Sequence, residues 1–198
     1  MDGVIQVVEC IRSIQGANVD CSIRQGRDKV LDQFLLSFGI ASEQDIVNLE
    51  DALVELPSWV APLNLPDDYL FFQEFYGGLG IHTPAYYFDV RGIGPMTDDW
   101  YGDVVRDDDA IYENGLLLIG TLAYGSNPRR FVRFFLDLAG VIDQGCIYAV
   151  GPQEPPYPSI LPVLQNPHDH PTRLTKVANT FTEWLEIVAE TKGVFGYV

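Results

Sequence analysis

The stretch from Leu65 to Gly80, Leu-Pro-Asp-Asp-Tyr-Leu-Phe-Phe-Gln-Glu-Phe-Tyr-Gly-Gly-Leu-Gly, limits what the chain can fold into more than any other. Pro66 suits the first position of a helix, and Asp67 and Asp68 place negative charge beside the unpartnered N–H groups of its first turn. Gly77 can take the left-handed conformation that ends one. Between these ends Tyr69, Phe72 and Tyr76 recur at spacings of three and four with Phe71 and Phe75 beside them, so the predicted helix is aromatic over most of its girth. A helix of that kind is expected to be buried between other elements.

Upstream, Val4, Val8 and Ile11 with Val7 and Ile14 predict an amphipathic helix that stops around Gly16. Asn18 to Arg27 reads as a polar connection, and Lys29 to Phe38 resumes the helical period until Gly39. Ser42 with Asp45 three positions on resembles a capping box, followed by Ile46, Leu49, Leu53 and Leu56 at helical spacing up to Pro57. Downstream of Gly80 the pattern changes to short apolar runs bounded by Gly, Pro, Asn and Asp. Ala85 to Phe88, Gly115 to Tyr124, Phe131 to Leu138 and Gly145 to Val150 predict successive antiparallel strands. Proline-rich Pro152 to Pro171 excludes a long helix or a central strand. Thr180 and Glu183 form a second capping-box match before Phe181, Trp184, Leu185 and Val188, which predict a closing helix.

At 198 residues the chain is long enough for one well-filled core, and one domain is expected. No apolar run approaches bilayer length, and no charged and apolar leader opens the chain. Cys10, Cys21 and Cys146 have neither a paired spacing nor a nearby histidine, so they read as reduced thiols in a cytoplasm rather than a disulfide framework or zinc site. The net charge is −16, and Pro62 to Gly125 holds eleven Asp or Glu against two Arg. That field repels nucleic acid and anionic membrane and attracts cations or a basic protein, although acidity also serves solubility alone.

No nucleophile elbow, phosphate-cradling loop, metal quartet or nucleotide fingerprint is present in the sequence, so an enzyme is the weaker reading and no cofactor is expected. Glu50 has no companion acid, histidine or nucleophile at readable spacing and reads as a solvated carboxylate. His168, Asp169 and His170 invite a metal reading but have no further ligand cluster. A hydrolase site assembled from distant carboxylates would leave no local trace and stays open.

The most unusual composition is Thr97 to Asp109. Its acids lack the alternation and the terminal Glu of a calcium loop. They suit a solvated acidic segment or a protein-binding face in which an aromatic pair is flanked by charge. The second is the working reading: Asp98, Asp99, Trp100, Tyr101, Asp103, Asp107, Asp108, Asp109 and Glu113 form the expected partner-binding set.

The order of parts resembles the SUKH superfamily, the SMI1/KNR4 family, over roughly Ser42 to Lys192. The residues that carry the likeness are Leu49-Glu50, Leu65-Pro66-Asp67-Asp68-Tyr69 and the pair Gly77-Gly78. Leu118-Ile119-Gly120, Phe134-Phe135-Leu136-Asp137, Gly145-Cys146-Ile147-Tyr148 and Ala178 to Leu185 complete it. Asn127-Pro128-Arg129-Arg130 and Cys146 depart from the family pattern. The resemblance implies an α+β domain, an antiparallel or mixed sheet with helices packed on it, to which residues 1–41 add N-terminal helices. It also implies a binding protein: bacterial members resemble immunity proteins that neutralise a cognate toxin, commonly a nuclease, and eukaryotic ones act as regulatory or scaffold modules. The expected partner is therefore a basic protein, with nucleic acid and membrane excluded.

Overall fold

Strand-forming runs and capped amphipathic helices come together as an α+β architecture in the computed structural model of the chain. The structure describes residues 1–19, 40–54, 65–92, 116–125, 130–140, 142–153 and 174–196. The elements run α1 (Asp2–Arg12), β1 (Ala17–Asn18), α2 (Glu43–Val54), α3 (Asp67–Phe75), β2 (Leu79–His82), β3 (Tyr86–Val90) and β4 (Leu116–Tyr124). Then follow β5 (Arg130–Asp137), β6 (Ile147–Gln153), β7 (Leu174–Ala178) and α4 (Phe181–Thr191). All seven strands form one sheet in the order β1 to β7, every neighbouring pair antiparallel. The mixed-sheet alternative is thereby excluded for the described residues. The expected helix over 29–38 and the connection from residue 20 onward lie outside them.

Three strands go beyond the sequence reading. β1 falls where a polar connection was expected, β2 begins inside the glycine-rich exit of α3, and β7 follows the proline-rich segment. Each is short or glycine-containing and lacks the run of β-branched or aromatic residues by which strands are recognised. β1 exists because β2 offers it an edge, pairing Ala17 with Ile81 and Asn18 with Gly80. Residues ahead of the family-like stretch are thus built into the sheet, and α1 also places Val4, Val8 and Ile11 in the core.

The helix ends follow the local chemistry closely. In α2 the Ser42 backbone N–H donates to Asp45 Oδ2 at 2.8 Å while the Asp45 N–H donates to Ser42 Oγ at 3.2 Å, a reciprocal box with Asp in the usual Glu position. In α3 the helix starts one residue later than expected, because Pro66 is the extended N-cap rather than the first helical residue. Gly77 exits α3 at φ 61°, the conformation assigned to it from sequence. In α4 the Glu183 N–H donates to Thr180 Oγ1 at 3.1 Å, but the Glu183 carboxylate reaches back to the Asn179 N–H at 2.7 Å, one residue before the cap.

These bonds from Asn179, first the backbone and then the side-chain amide, hold the Glu183 carboxyl below its ordinary value of 4.5. A depressed carboxyl contributes stability that is present above the unfolded value and lost as pH falls through the folded one. Glu183→Gln is therefore expected to lower the melting temperature at neutral pH. The gap to the parent protein should close as thermal scans are taken down through the acid range; a gap independent of pH would contradict the assignment.

α4 lies on the sheet, and the other helices gather around it. The Trp184 ring sits 5.9 Å from Phe88 of β3 and 5.4 Å from Phe134 of β5, and below it is Gly120 of β4. α1 packs beside α4, and α3 meets it through Tyr69 and Phe72, each 5.2 Å from Phe181. Asp68 ties the two helices together, its Oδ2 accepting from the Thr182 N–H at 2.8 Å and from Thr182 Oγ1 at 2.9 Å. After α4 the chain turns through Lys192 and Gly193 and returns Phe195 to within 4.7 Å of Phe134. The aromatic helix is not buried all round as expected: Tyr69 and Phe72 are interior, Phe71 is half-buried, and Phe75 is 59% exposed. α4 covers one side of it only.

Candidate functional site

Strand alternation gives the sheet two unlike faces. Tyr86, Phe88 and Val90 point toward α4, with Tyr86 donating its hydroxyl to the Lys192 carbonyl at 2.8 Å. Tyr87 and Asp89 therefore point the other way, and the register carries a polar row across that second face. Asp89 stands opposite Thr121, and Thr121 opposite Arg133. Two residue pairs along, on the same face, His82 stands opposite Tyr87 with their rings 4.5 Å apart. Asp89 is 5% exposed, and His82, Tyr87, Thr121 and Arg133 are half-buried.

Register thus brings an acid, a hydroxyl and a guanidinium onto three adjacent strands of one face, with an imidazole and a phenol two residues along, all groups that can donate or accept hydrogen bonds. The sequence reading missed this row. The signal was available, since Asp89 and Arg133 are charged residues inside otherwise apolar strands and their partners across the sheet follow from the register alone. Without the register, no spacing relates residue 89 to 121 or 133.

A second polar cluster closes the turn between β5 and β6. Asp137, fully buried, accepts from the backbone N–H groups of Ile142 at 2.8 Å and Asp143 at 3.0 Å. Its own N–H donates to the Cys146 carbonyl at 3.0 Å, and its carbonyl accepts from the Gly145 N–H at 2.7 Å. Next to it Asp143 Oδ2 accepts from Tyr148 Oη at 3.3 Å and from Lys176 Nζ at 3.2 Å. Burial foremost, with the Asp143 charge adding to it, pushes the Tyr148 phenol up. Hydrogen bonds to Cys146 first and to Asp143 second raise the Lys176 ammonium. These groups hold a hairpin: Asp137 replaces the backbone acceptors that the turn lacks.

Asp45, Asp68 and Asp137 are thus engaged with backbone donors, at the start of α2, between α3 and α4, and in the β5–β6 turn. Glu50 is exposed on α2, in keeping with a solvated carboxylate. Among the described residues no group of three or more His, Cys, Asp or Glu could hold a metal ion, and no helix is long and apolar enough to cross a membrane.

The expected partner-binding set, Asp98, Asp99, Trp100, Tyr101, Asp103, Asp107, Asp108, Asp109 and Glu113, lies outside the described residues, as do His168, Asp169 and His170. No family model, curated protein or solved structure matches the chain.

Proposed function

We propose that the chain is a binding protein of the immunity type, which neutralises a cognate toxin by occupying its functional surface. What supports this reading is the placement of the residues that resemble the SUKH superfamily. Leu65 to Tyr69 open α3, Gly77-Gly78 lead into β2, the three strand motifs fall on the consecutive neighbours β4, β5 and β6, and Ala178 to Leu185 join β7 to α4. They are consecutive parts of one packed α+β unit. The net charge of −16 suits a basic partner such as the phosphate-binding cleft of a nuclease, where an anionic protein associates fast and blocks access. Asp98 to Asp109 and Glu113 supply the anionic contact in this proposal.

Co-expression tests it. The product of a neighbouring gene is expected to arrest growth of a host cell, and this chain to restore it. Growth arrest that persists with the folded chain present, or a gene neighbourhood whose products are harmless, would overturn the toxin assignment and favour a regulatory or scaffold module.

The hydrolase alternative has one observation in its favour, the polar row of Asp89, Thr121 and Arg133 beside His82 and Tyr87. Turnover of a phosphodiester or peptide substrate by the purified chain, abolished in Asp89→Asn with the fold intact, would establish it.

A further inference from the structure

Among the described residues the non-glycine positions with left-handed backbone are Lys192 at φ 55° and Phe195 at φ 51°, and both lie in the short segment 192–196 that follows α4. Gly193 and Gly196 share that conformation at 82° and 71°. Glycine adopts it freely, whereas the Cβ of Lys or Phe is crowded against the backbone there. Strain of this kind persists only where surrounding contacts hold it, and it collects at clamps and switches.

The contact that holds it is the Phe195 ring, half-buried and seated 4.7 Å from Phe134 and 5.8 Å from Phe88. Both of those rings are fully buried, and Trp184 completes the group at 5.4 Å from Phe134 and 5.9 Å from Phe88. Phe195 is thus the outermost member of an aromatic socket whose walls come from β3, β5 and α4. The hydrogen bonds of the segment do little to seat it. The Gly193 N–H donates to the Val188 carbonyl at 3.0 Å and the Val194 N–H to the Thr191 carbonyl at 3.1 Å, so both belong to the end of α4. Among the described residues its polar link to the sheet is the Tyr86 hydroxyl, which donates to the Lys192 carbonyl at 2.8 Å in an exposed position where water competes. Gly193 passes so close over β3 that a Cβ there would fall 2.9 Å from Phe88 Cβ. Backbone strain and partial exposure work against the gain from seating one ring, which places the segment at the low end of a domain's local stabilities.

We propose that residues 192–196 are a strap that opens without the rest of the domain, and that the socket it vacates against Phe88, Phe134 and Trp184 binds an aromatic side chain of a partner protein. Phe195 specifies that class, because it shows that the walls accept a planar ring at the spacing of aromatic pairs. Tethered beside the socket, Phe195 competes as an intramolecular ligand. A partner's ring therefore binds in proportion to the open fraction of the strap. The inference rests on the binding role proposed above only for the origin of the ring, and its test needs no toxin.

The amide of N-acetyl-para-fluorophenylalanine stands in for that side chain and is titrated into the full chain by fluorine NMR. Phe195→Ala empties the socket and is expected to bind the probe at least about tenfold more tightly than the parent. Tyr86→Phe keeps plug and socket and removes the hydroxyl link. It should tighten binding roughly threefold to tenfold in the parent and leave it unchanged in the Phe195→Ala background. Urea denaturation checks that each variant is folded, and contacts from the probe should run to the Phe88 and Phe134 rings. Equal affinity of the parent and a folded Phe195→Ala, no gain in Tyr86→Phe, a Tyr86→Phe effect that persists in the Phe195→Ala background, or contacts elsewhere would overturn the proposal. So would a concentration-dependent dimer dispersed by Phe195→Ala, because the tail of a second copy would then be the occupant. A chain that neutralises no toxin yet binds the probe in this order would overturn the immunity reading and leave the strap in place.

Discussion

Replacing Trp184 with alanine is expected to remove about 3–5 kcal/mol of stability, a large part of the roughly 5–15 kcal/mol that holds a domain folded. Trp184 is fully buried, and Phe88, Phe134 and Phe181 surround it across three elements, so no neighbour can collapse into the space without leaving its own contacts. Its indole Nε1 has no hydrogen-bond partner among the described residues, which makes Trp184→Phe the milder change: the smaller ring forfeits packing and, among those residues, no bond.

The site is also defined from below. A Cβ at Gly120 would fall 2.6 Å from the Asp89 carbonyl oxygen and 2.8 Å from Trp184 Cη2, so Gly120→Ala clashes with both β3 and the indole. It should cost about 1–3 kcal/mol, as overpacking does. Part of that cost disappears in the Trp184→Ala background, and the remainder is the clash with the β3 backbone. Urea denaturation of the two single variants and the double variant measures the coupling. Strict additivity would mean that α4 does not sit over Gly120 as described.

Asp137→Ala should be the next most damaging change, at about 2–4 kcal/mol, because it leaves the N–H groups of Ile142 and Asp143 without the carboxylate they donate to. Asp137→Asn keeps one oxygen acceptor and should lose less than half as much. Equilibrium unfolding gives the magnitude, and hydrogen exchange gives the cause: protection should fall first at residues 142 and 143. Loss of stability with unchanged protection there would place the role of Asp137 elsewhere.

Much of the helical layer was legible in the sequence, and the reason is local chemistry. The caps at Ser42 and Thr180, the glycine exit of α3 and the apolar periodicities of α1 and α4 are decided within a few residues, so they survive whatever the tertiary context adds. The sheet was legible only where side chains announce it, as in Leu116 to Tyr124 and Arg130 to Asp137. β1 is two residues long and owes its conformation to β2, whose paired residues lie 62 and 64 positions further along the sequence, which no local pattern can express. Phe75 shows the opposite limit: its aromatic neighbours argued for burial, yet burial depends on how many sides α4 can cover. The row of Asp89, Thr121 and Arg133 is invisible until strand register brings the three together. The acidic stretch, by contrast, was conspicuous from composition alone, and it lies outside the described residues.

The central proposal is that this chain acts by presenting an anionic surface to a basic protein. Its most direct test is the association rate of the purified chain with a neighbouring gene's product that arrests growth when expressed alone, measured by stopped flow as ionic strength is raised. The account predicts a rate that falls steeply with salt, by one to two orders of magnitude between about 10 mM and 500 mM as screening shortens the Debye length from roughly 30 Å to about 4 Å. A rate indifferent to salt, or no association at all, would contradict it.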